Sequence, residues 1–285
     1  MAGKFVAYRE SDQQLLFDTD LICYGLRKSG YLQFVENWPQ KYLRSAQLDP
    51  NNGANWTNDP TPKEPIYGIS LSSWRSPIVF LVGDGSPCGE MLDSGIKTLL
   101  FVGASASTKA YVFDLMTDDG PITGLKCYKE NPWELTFNSG QPPLNIIASV
   151  QAPGLGRLVS PNYDDRYEAY DGGYNSMIGT NGGTTYFQMK SYVDVPVVAG
   201  ELAAAITFTR SAGCNGSFSG AGGFEFGCQE GCGGYNGGVR FMFTVAAATT
   251  RAIVGSFPYN YWRQIPEIFP HALVIKTAGL PFPFN

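Results

Sequence analysis

Short runs of alternating polar and apolar residues, each closed by turn formers, make up most of this chain. Phe5, Ala7 and Arg9 alternate with Val6, Tyr8 and Glu10; Ser11-Asp12-Gln13-Gln14 is a polar turn, and Leu15-Leu16-Phe17 begins a return. That pattern predicts a β-hairpin. Pro77 to Val82 is a continuous apolar run ended by Gly83-Asp84-Gly85-Ser86-Pro87, which predicts a buried strand stopped by a tight turn. Ile96 to Val102 and Lys109 to Leu115 flank Gly103 to Thr108, and this spacing predicts a second hairpin. No long stretch carries a helical period. The single short helix candidate runs from Gln40 to Gln47.

The first hairpin pattern occurs twice. Phe5 to Thr19 (FVAYRESDQQLLFDT) returns without a gap as Leu125 to Ser139 (LKCYKENPWELTFNS), with Tyr8/Tyr128, Glu10/Glu130, Leu15/Leu135 and Phe17/Phe137 identical. In the second occurrence Asn131-Pro132 takes the turn, where the fixed φ and missing N–H of proline cost least. Ile96 to Val112 resembles Val239 to Val254, and Ser73 to Val79 has a looser echo in Ser191 to Val198. All three pairs keep the same order along the chain, which predicts two copies of one β-rich module.

Composition agrees with many short strands joined by loops. Charged residues are 16% of the 285, aromatics 14%, and there are 34 Gly and 19 Pro, a balance foreign to helical bundles and disordered chains. The expected fold is all-β: two tandem antiparallel β-sandwich modules related by internal duplication, residues 1–119 and 120–285. The hinge is expected at Thr117 to Pro121, and the second module carries a Gly/Cys-rich insertion at 212–238. The alternative is a single fused sandwich in which strands from both copies share a sheet.

A formal net charge of −5 argues against nucleic acid as the main partner, since phosphate binding needs clustered Lys and Arg. No apolar run is long enough for a transmembrane helix, and MAGKFVAYRE lacks the apolar region of a secretory signal, so the chain is expected to fold in a cytoplasm, or to be exported by a route that needs no cleaved signal, without membrane insertion. Cys23, Cys88, Cys127, Cys214, Cys228 and Cys232 are then expected to stay as thiols. Cys214, Cys228 and Cys232 lack the fourth ligand and paired arms of a zinc site, so neither a metal nor another cofactor is expected.

Glycine dominates the stretch from Gly213 to Gly238, which lacks the ending of a phosphate-binding loop and is expected to form a loop in place of a regular strand. Such a loop can display Phe218, Phe224, Phe226 and Tyr235 to a partner. Tyr163 to Tyr174 mixes carboxylates with tyrosines, among them Tyr167 and Tyr170; it suits sugar contact, calcium ligation or, with Asp165 and Glu168 across a cleft, glycoside hydrolysis. Tyr259, Tyr261 and Trp262 form a third aromatic contact candidate, with ordinary packing over a sandwich end as the equal alternative. His271, the only histidine, stands before an apolar strand, a setting for a strand entrance and not for a general base. No catalytic residue is nominated.

The recurring step of an aromatic strand, a turn and L-x-F-[DN]-[ST], at Tyr8 with Leu15 to Thr19 and at Tyr128 with Leu135 to Ser139, resembles the opening of small tail-tip and tail-fibre proteins of long-tailed bacteriophages. The C-terminal HALVIKTAGLPF resembles the closing strand of that family. The resemblance covers about a quarter of the residues. It implies a non-enzymatic virion component at the distal end of the tail, made in the host cytoplasm and built into a symmetric fibre, tripod or baseplate. The implied partners are other tail proteins, further copies of the chain, with a trimer favoured, and a host receptor or glycan. The rival functions are a carbohydrate-binding module and, behind it, a polysaccharide depolymerase.

Overall fold

A computed structural model describes residues 6–8, 10–13, 15–18, 21–43, 48–49, 51–118, 124–129, 134–159, 167–181, 184–218, 221–246, 251–254 and 261–284. Side chains are described for all of these but 15–17, 40, 42–43, 58–63, 176–181, 184–189, 215–218, 221–226 and 251–254. The described chain is all-β. Its first strands are β1 (Val6–Tyr8), β2 (Leu15–Asp18), β3 (Tyr24–Tyr31), β4 (Gln33–Leu43), β5 (Trp56–Leu71), β6 (Ile78–Val82), β7 (Ser86–Asp93), β8 (Ile96–Val102) and β9 (Lys109–Leu115). There follow β10 (Lys126–Lys129), β11 (Glu134–Asn138), β12 (Ala148–Gln151), β13 (Tyr174–Asn181), β14 (Thr184–Ile206), β15 (Ser211–Phe218), β16 (Ala221–Val245), β17 (Arg251–Val254), β18 (Tyr261–Arg263) and β19 (His271–Lys276). The helix expected at 40–47 is not formed as far as it is described: Gln40 to Leu43 continue β4, and 44–47 lie outside the described residues.

The two matched hairpins fold alike. In the first, Val6 pairs with Asp18, Ala7 with Phe17 and Tyr8 with Leu15, with an irregularity between Ala7 and Tyr8. In the second, Lys126 pairs with Asn138, Cys127 with Phe137 and Tyr128 with Leu135, with an irregularity between Cys127 and Tyr128. Every one of those partners is the counterpart of the other at the sequence spacing of the repeat. Each hairpin is a separate two-stranded sheet, and such a unit is marginal in water without further cover. The second hairpin obtains it from the body: the Cys23 N–H donates to Thr136 O at 2.8 Å, and Glu134 accepts from Arg75 at 2.7 Å. Leu135, Thr136 and Asn138 are buried as a result.

Beyond these hairpins the two halves of the chain merge. An eleven-stranded sheet runs β12-β19-β14-β16-β6-β9-β3, with β13, β15, β17 and β18 attached alongside. Its strands come from both sides of residue 119, so the fused arrangement, and not a pair of separate sheets, is what the chain adopts there. A four-stranded sheet, β4-β5-β8-β7, packs onto its β6-β9-β3 end. Ile69 and Phe101 meet Leu81, Ala110 and Val112 between the two. Phe80, Tyr111 and Phe113 face the other way, against Ala203, Ala205 and Ile275 of the second half. Burial on both faces is why β6 and the Ala110 to Phe113 stretch of β9 read as unbroken apolar runs. The hairpin expected from Ile96 to Leu115 is corrected accordingly: β8 pairs with β5 and β7 and β9 with β3 and β6, so the turn at Gly103 carries the chain from one sheet to the other.

The glycine-rich stretch is the larger correction. It forms the hairpin of β15 and the 25-residue β16, which pairs with β14 and touches β6. Close approach, not looseness, explains the glycines. A Cβ on Gly233 would lie 1.7 Å from Gly83 O, and one on Gly234 2.0 Å from Leu202 O, both backbone atoms that cannot step aside. Gly237, at φ +106°, sits where the register of β14 and β16 slips between Pro196 and Glu201. On β16 the residues facing the main core are Cys228 and Cys232 before that slip, and Val239, Phe241, Phe243 and Val245 after it. The pairing shifts by three residues there, from Pro196 with Gly238 to Glu201 with Asn236, and a slip by an odd number exchanges the faces of a strand. Even-numbered side chains of β16 therefore face the main core before Gly237 and the opposite side beyond it, where Arg240 is part-exposed and Met242 and Thr244 are buried.

Candidate functional site

Beyond the slip, the outward face of β13, β14 and β16 carries a ladder of polar and aromatic side chains. Tyr174 pairs with Tyr192, Tyr192 with Met242, and Asp194 with Arg240, while the intervening Val193 and Phe241 are buried in the core. Pairing across adjacent strands places these side chains on one face within reach of one another. Arg240 grips Asp194 with both arms of its fork, Nε to Oδ1 at 2.7 Å and Nη2 to Oδ2 at 2.8 Å. Its guanidinium lies over the Tyr192 ring, 4.5 Å from the centroid, and the Tyr174 and Tyr192 rings meet edge to face. The Tyr174 hydroxyl is 3.4 Å from Asp194 Oδ2.

The first half of the chain closes one side of this ladder. The turn after β6 is fixed to β16 by a hydrogen bond from Gly83 N–H to Gly234 O at 2.8 Å. It delivers Asp84, which pairs with Lys190 and stands 3.8 Å from Arg240 Nη1. The Tyr235 ring covers Gly238, where a Cβ would lie 2.3 Å from the phenol oxygen.

Two carboxylates and two cations balance in this cluster. Hydrogen bonds from Arg240 hold the Asp194 carboxyl below the usual range, against the upward push of partial burial. Asp194 is thus an acceptor at neutral pH. Loss of water around its hydroxyl, helped by a hydrogen bond with Tyr192, raises the Tyr174 phenol to about 12, so that group stays protonated and able to donate. Tyr174 is 45% exposed, and the side chains of Arg240 and Asp194 are 31% and 33% exposed. The arrangement offers an aromatic surface beside donors and acceptors, which is equipment for binding.

The aromatic residues nominated from sequence divide sharply. Tyr235 belongs to the cluster just described. Tyr170, Tyr261 and Trp262 are buried, and they are corrected from contact surface to core. Trp262 packs its ring beside Phe243 and donates Nε1–H to Asn175 at 3.2 Å; Tyr170 donates to Glu230 at 2.8 Å. Tyr167 is half-buried and exchanges backbone hydrogen bonds with Trp262 at 2.9 Å. Phe218, Phe224 and Phe226 lie in β15 and β16, their side chains outside the described set, and Tyr259 lies outside the described residues.

Other chemistry weighed from sequence is placed as follows. Asp165 lies outside the described residues, while Glu168 accepts from Arg157 Nε at 2.9 Å. His271 begins β19, its Nδ1 3.1 Å from Ser149 Oγ, and among the described residues no carboxylate is recorded on the ring. The six cysteines form no disulfide with one another; Cys214, Cys228 and Cys232 are buried, and burial pushes the Cys232 thiol well above its ordinary value. Among the described residues no group of His, Cys, Asp and Glu is clustered for a metal ion. No helix is long and apolar enough to cross a membrane, again among the described residues.

A second, buried cluster was not anticipated. Arg210 grips Glu230 with Nε to Oε2 at 2.7 Å and Nη2 to Oε1 at 2.8 Å, between the rings of Phe243 and Phe269. The two side chains are 1% and 0% exposed. Their partner Tyr170 is kept neutral by burial and by the adjacent Glu230 carboxylate. No protein-family model matches this chain, and no curated protein or solved structure matches it either.

Proposed function

We propose that this protein is a structural, non-enzymatic component of a bacteriophage tail tip, part of a baseplate, tripod or fibre, that contributes to attachment at the host surface. The observation that carries the reading is the pair of hairpins bearing the L-x-F-[DN]-[ST] step, which share one register and one irregularity at equivalent positions. The resemblance to tail-tip proteins rests on that step, and a motif that folds the same way twice is a structural device more than a chance string. Assembly is the second support. Leu21, Phe34, Leu92, Leu125 and Ile268 are each more than half exposed, apolar side chains that neighbouring subunits would cover. The partners are other tail proteins and further copies of the chain, as a homotrimer, and the mature location is the virion.

Mass spectrometry of purified virions, with labelled antibody located by electron microscopy, tests this directly. The expected result is the protein at the distal tail end and a trimer by light scattering of the purified chain. Virions that lack the protein, from cells that made it, would sink the reading.

A further inference from the structure

We propose that the outward ladder of Tyr174, Tyr192, Asp194 and Arg240, with Tyr235 and Asp84 at its margins, is a binding subsite for an uncharged sugar ring. The inference deepens the attachment reading, on which it depends for its biological setting.

Three features of the ladder converge on that ligand class. The first is unused hydrogen-bonding capacity. Arg240 Nη1 has Asp84 at 3.8 Å, beyond hydrogen-bond reach, so its N–H groups remain available, and Asp194 Oδ1 has further lone-pair room beyond its arginine partner, whereas Oδ2 also accepts from Tyr174. A donor and an acceptor side by side match two adjacent hydroxyls, each of which can both give and take a hydrogen bond. The second is the aromatic surface: Tyr174 stands nearly half exposed beside the polar pair, so the C–H face of a pyranose has a ring to rest on while its hydroxyls reach Asp194 and Arg240. The third is charge. Asp84 and Asp194 already neutralise Lys190 and Arg240, so a phosphate, sulfate or sialic acid would have to break existing pairs, whereas a neutral sugar need not.

The scaffold also holds the side chains in place before any ligand arrives. Asp194 and Arg240 are fixed by strand pairing and by two hydrogen bonds, and Tyr192 is held under the guanidinium. Pre-ordered side chains lose little entropy on binding. A purely structural role would leave this exposed fork with little to do, because surface ion pairs stabilise weakly.

The test is an array of neutral and anionic glycans probed with the purified full-length protein, followed by calorimetry on the best neutral ligand. Wild-type protein should bind neutral glycans. Tyr174→Ala and Asp194→Asn should each weaken binding at least about tenfold, and Tyr174→Phe, which keeps the ring, should retain most of it. Circular dichroism melts verify that each variant is folded. If a variant fails to fold, Arg240→Gln serves as the replacement, with the same expected loss. Wild-type protein that binds no neutral glycan, or folded variants that bind as well as wild type, would overturn the proposal; so would binding confined to anionic glycans. Protein present in virions but without glycan binding would remove this site and leave the tail-tip reading standing. Glycan binding by a protein absent from virions would do the reverse.

Discussion

Arg210 and Arg240 make nearly the same set of contacts in opposite surroundings. Each forks a carboxylate at 2.7 and 2.8 Å, each lies over an aromatic ring, and each carboxylate has a tyrosine hydroxyl beside it. β16 contributes to both, Glu230 to the buried cluster and Arg240 to the outward one. Both positions are even-numbered, and in an uninterrupted strand they would share a face. The slip at Gly237 is what sends one inward and the other outward. Identical chemistry therefore acts as a structural staple where water is excluded and becomes an accessible surface where it is not. Burial, set by backbone register, decides which.

The contrast fails first if β16 cannot take its path. Gly233→Ala would put a Cβ against Gly83 O, and Gly234→Ala one against Leu202 O, clashes with backbone that exceed ordinary overpacking at about 1–3 kcal/mol. Both variants should give little or no folded protein, judged by soluble yield and thermal melting. Gly30→Ala, where a Cβ meets nothing within 4 Å, should fold normally or melt slightly higher. A folded, fully stable Gly233→Ala protein would refute the close-approach account of the glycines.

Next in size is the buried fork. Arg210→Met or Glu230→Gln alone strands a buried charge and should cost about 3–5 kcal/mol in urea unfolding. The double change Arg210→Met with Glu230→Leu should recover much of that loss, because no charge is then left unpaired. Singles no worse than the double would mean that packing, and not charge desolvation, governs the site.

These two predictions mark where sequence reasoning succeeds and where it stops. Hairpins β1–β2 and β10–β11 and the buried strand β6 were legible because turn and strand signals lie within a few residues of each other. β16 was not, since a glycine run looks like a loop until Gly83 and Leu202, far away in the chain, are seen to crowd it. Gly103 announced a reversal truly, but nothing local says whether the returning strand rejoins its own sheet or crosses to another. Trp262 and Tyr261 were read as surface because aromatic residues populate cores and interfaces alike. The outward ladder joins Tyr174, Asp194 and Arg240 through cross-strand pairing; only Tyr174 lies in a segment singled out for contact chemistry, while Asp194 and Arg240 lie in segments matched only as repeats. Register is a property of the pair of strands, so no single segment reveals it.

The outward fork should matter far less to stability than its buried counterpart. Arg240→Ala is expected to lower unfolding free energy by no more than about 1 kcal/mol, with part of that difference vanishing at high salt. Urea titrations at low and high ionic strength measure it. A loss as large as that of Arg210→Met would show that the outward cluster is also a staple, and the contrast between the two would collapse.

The smallest effect separates the clusters by pH. Asp194 has a carboxyl pKa held below its unfolded value, so its contribution is present above the unfolded pKa, near pH 4, and is lost as pH falls through the lower folded value. Tyr170 has a phenol pKa raised well above its unfolded value, so its contribution is present below about pH 10 and is lost as pH rises towards the folded value. The Asp194–Arg240 fork thus weakens in acid and the Tyr170–Glu230 contact in alkali, where Tyr174, raised to about 12, adds a loss of its own. In urea midpoints measured across pH, Asp194→Asn should flatten only the acid limb and Tyr170→Phe only the alkaline limb. Asp194 acts together with Glu134, Asp118 and Glu201, whose carboxyls are also lowered, so its share of the acid limb is modest. An acid limb unchanged by Asp194→Asn would show that the Arg240 fork is not maintained in solution.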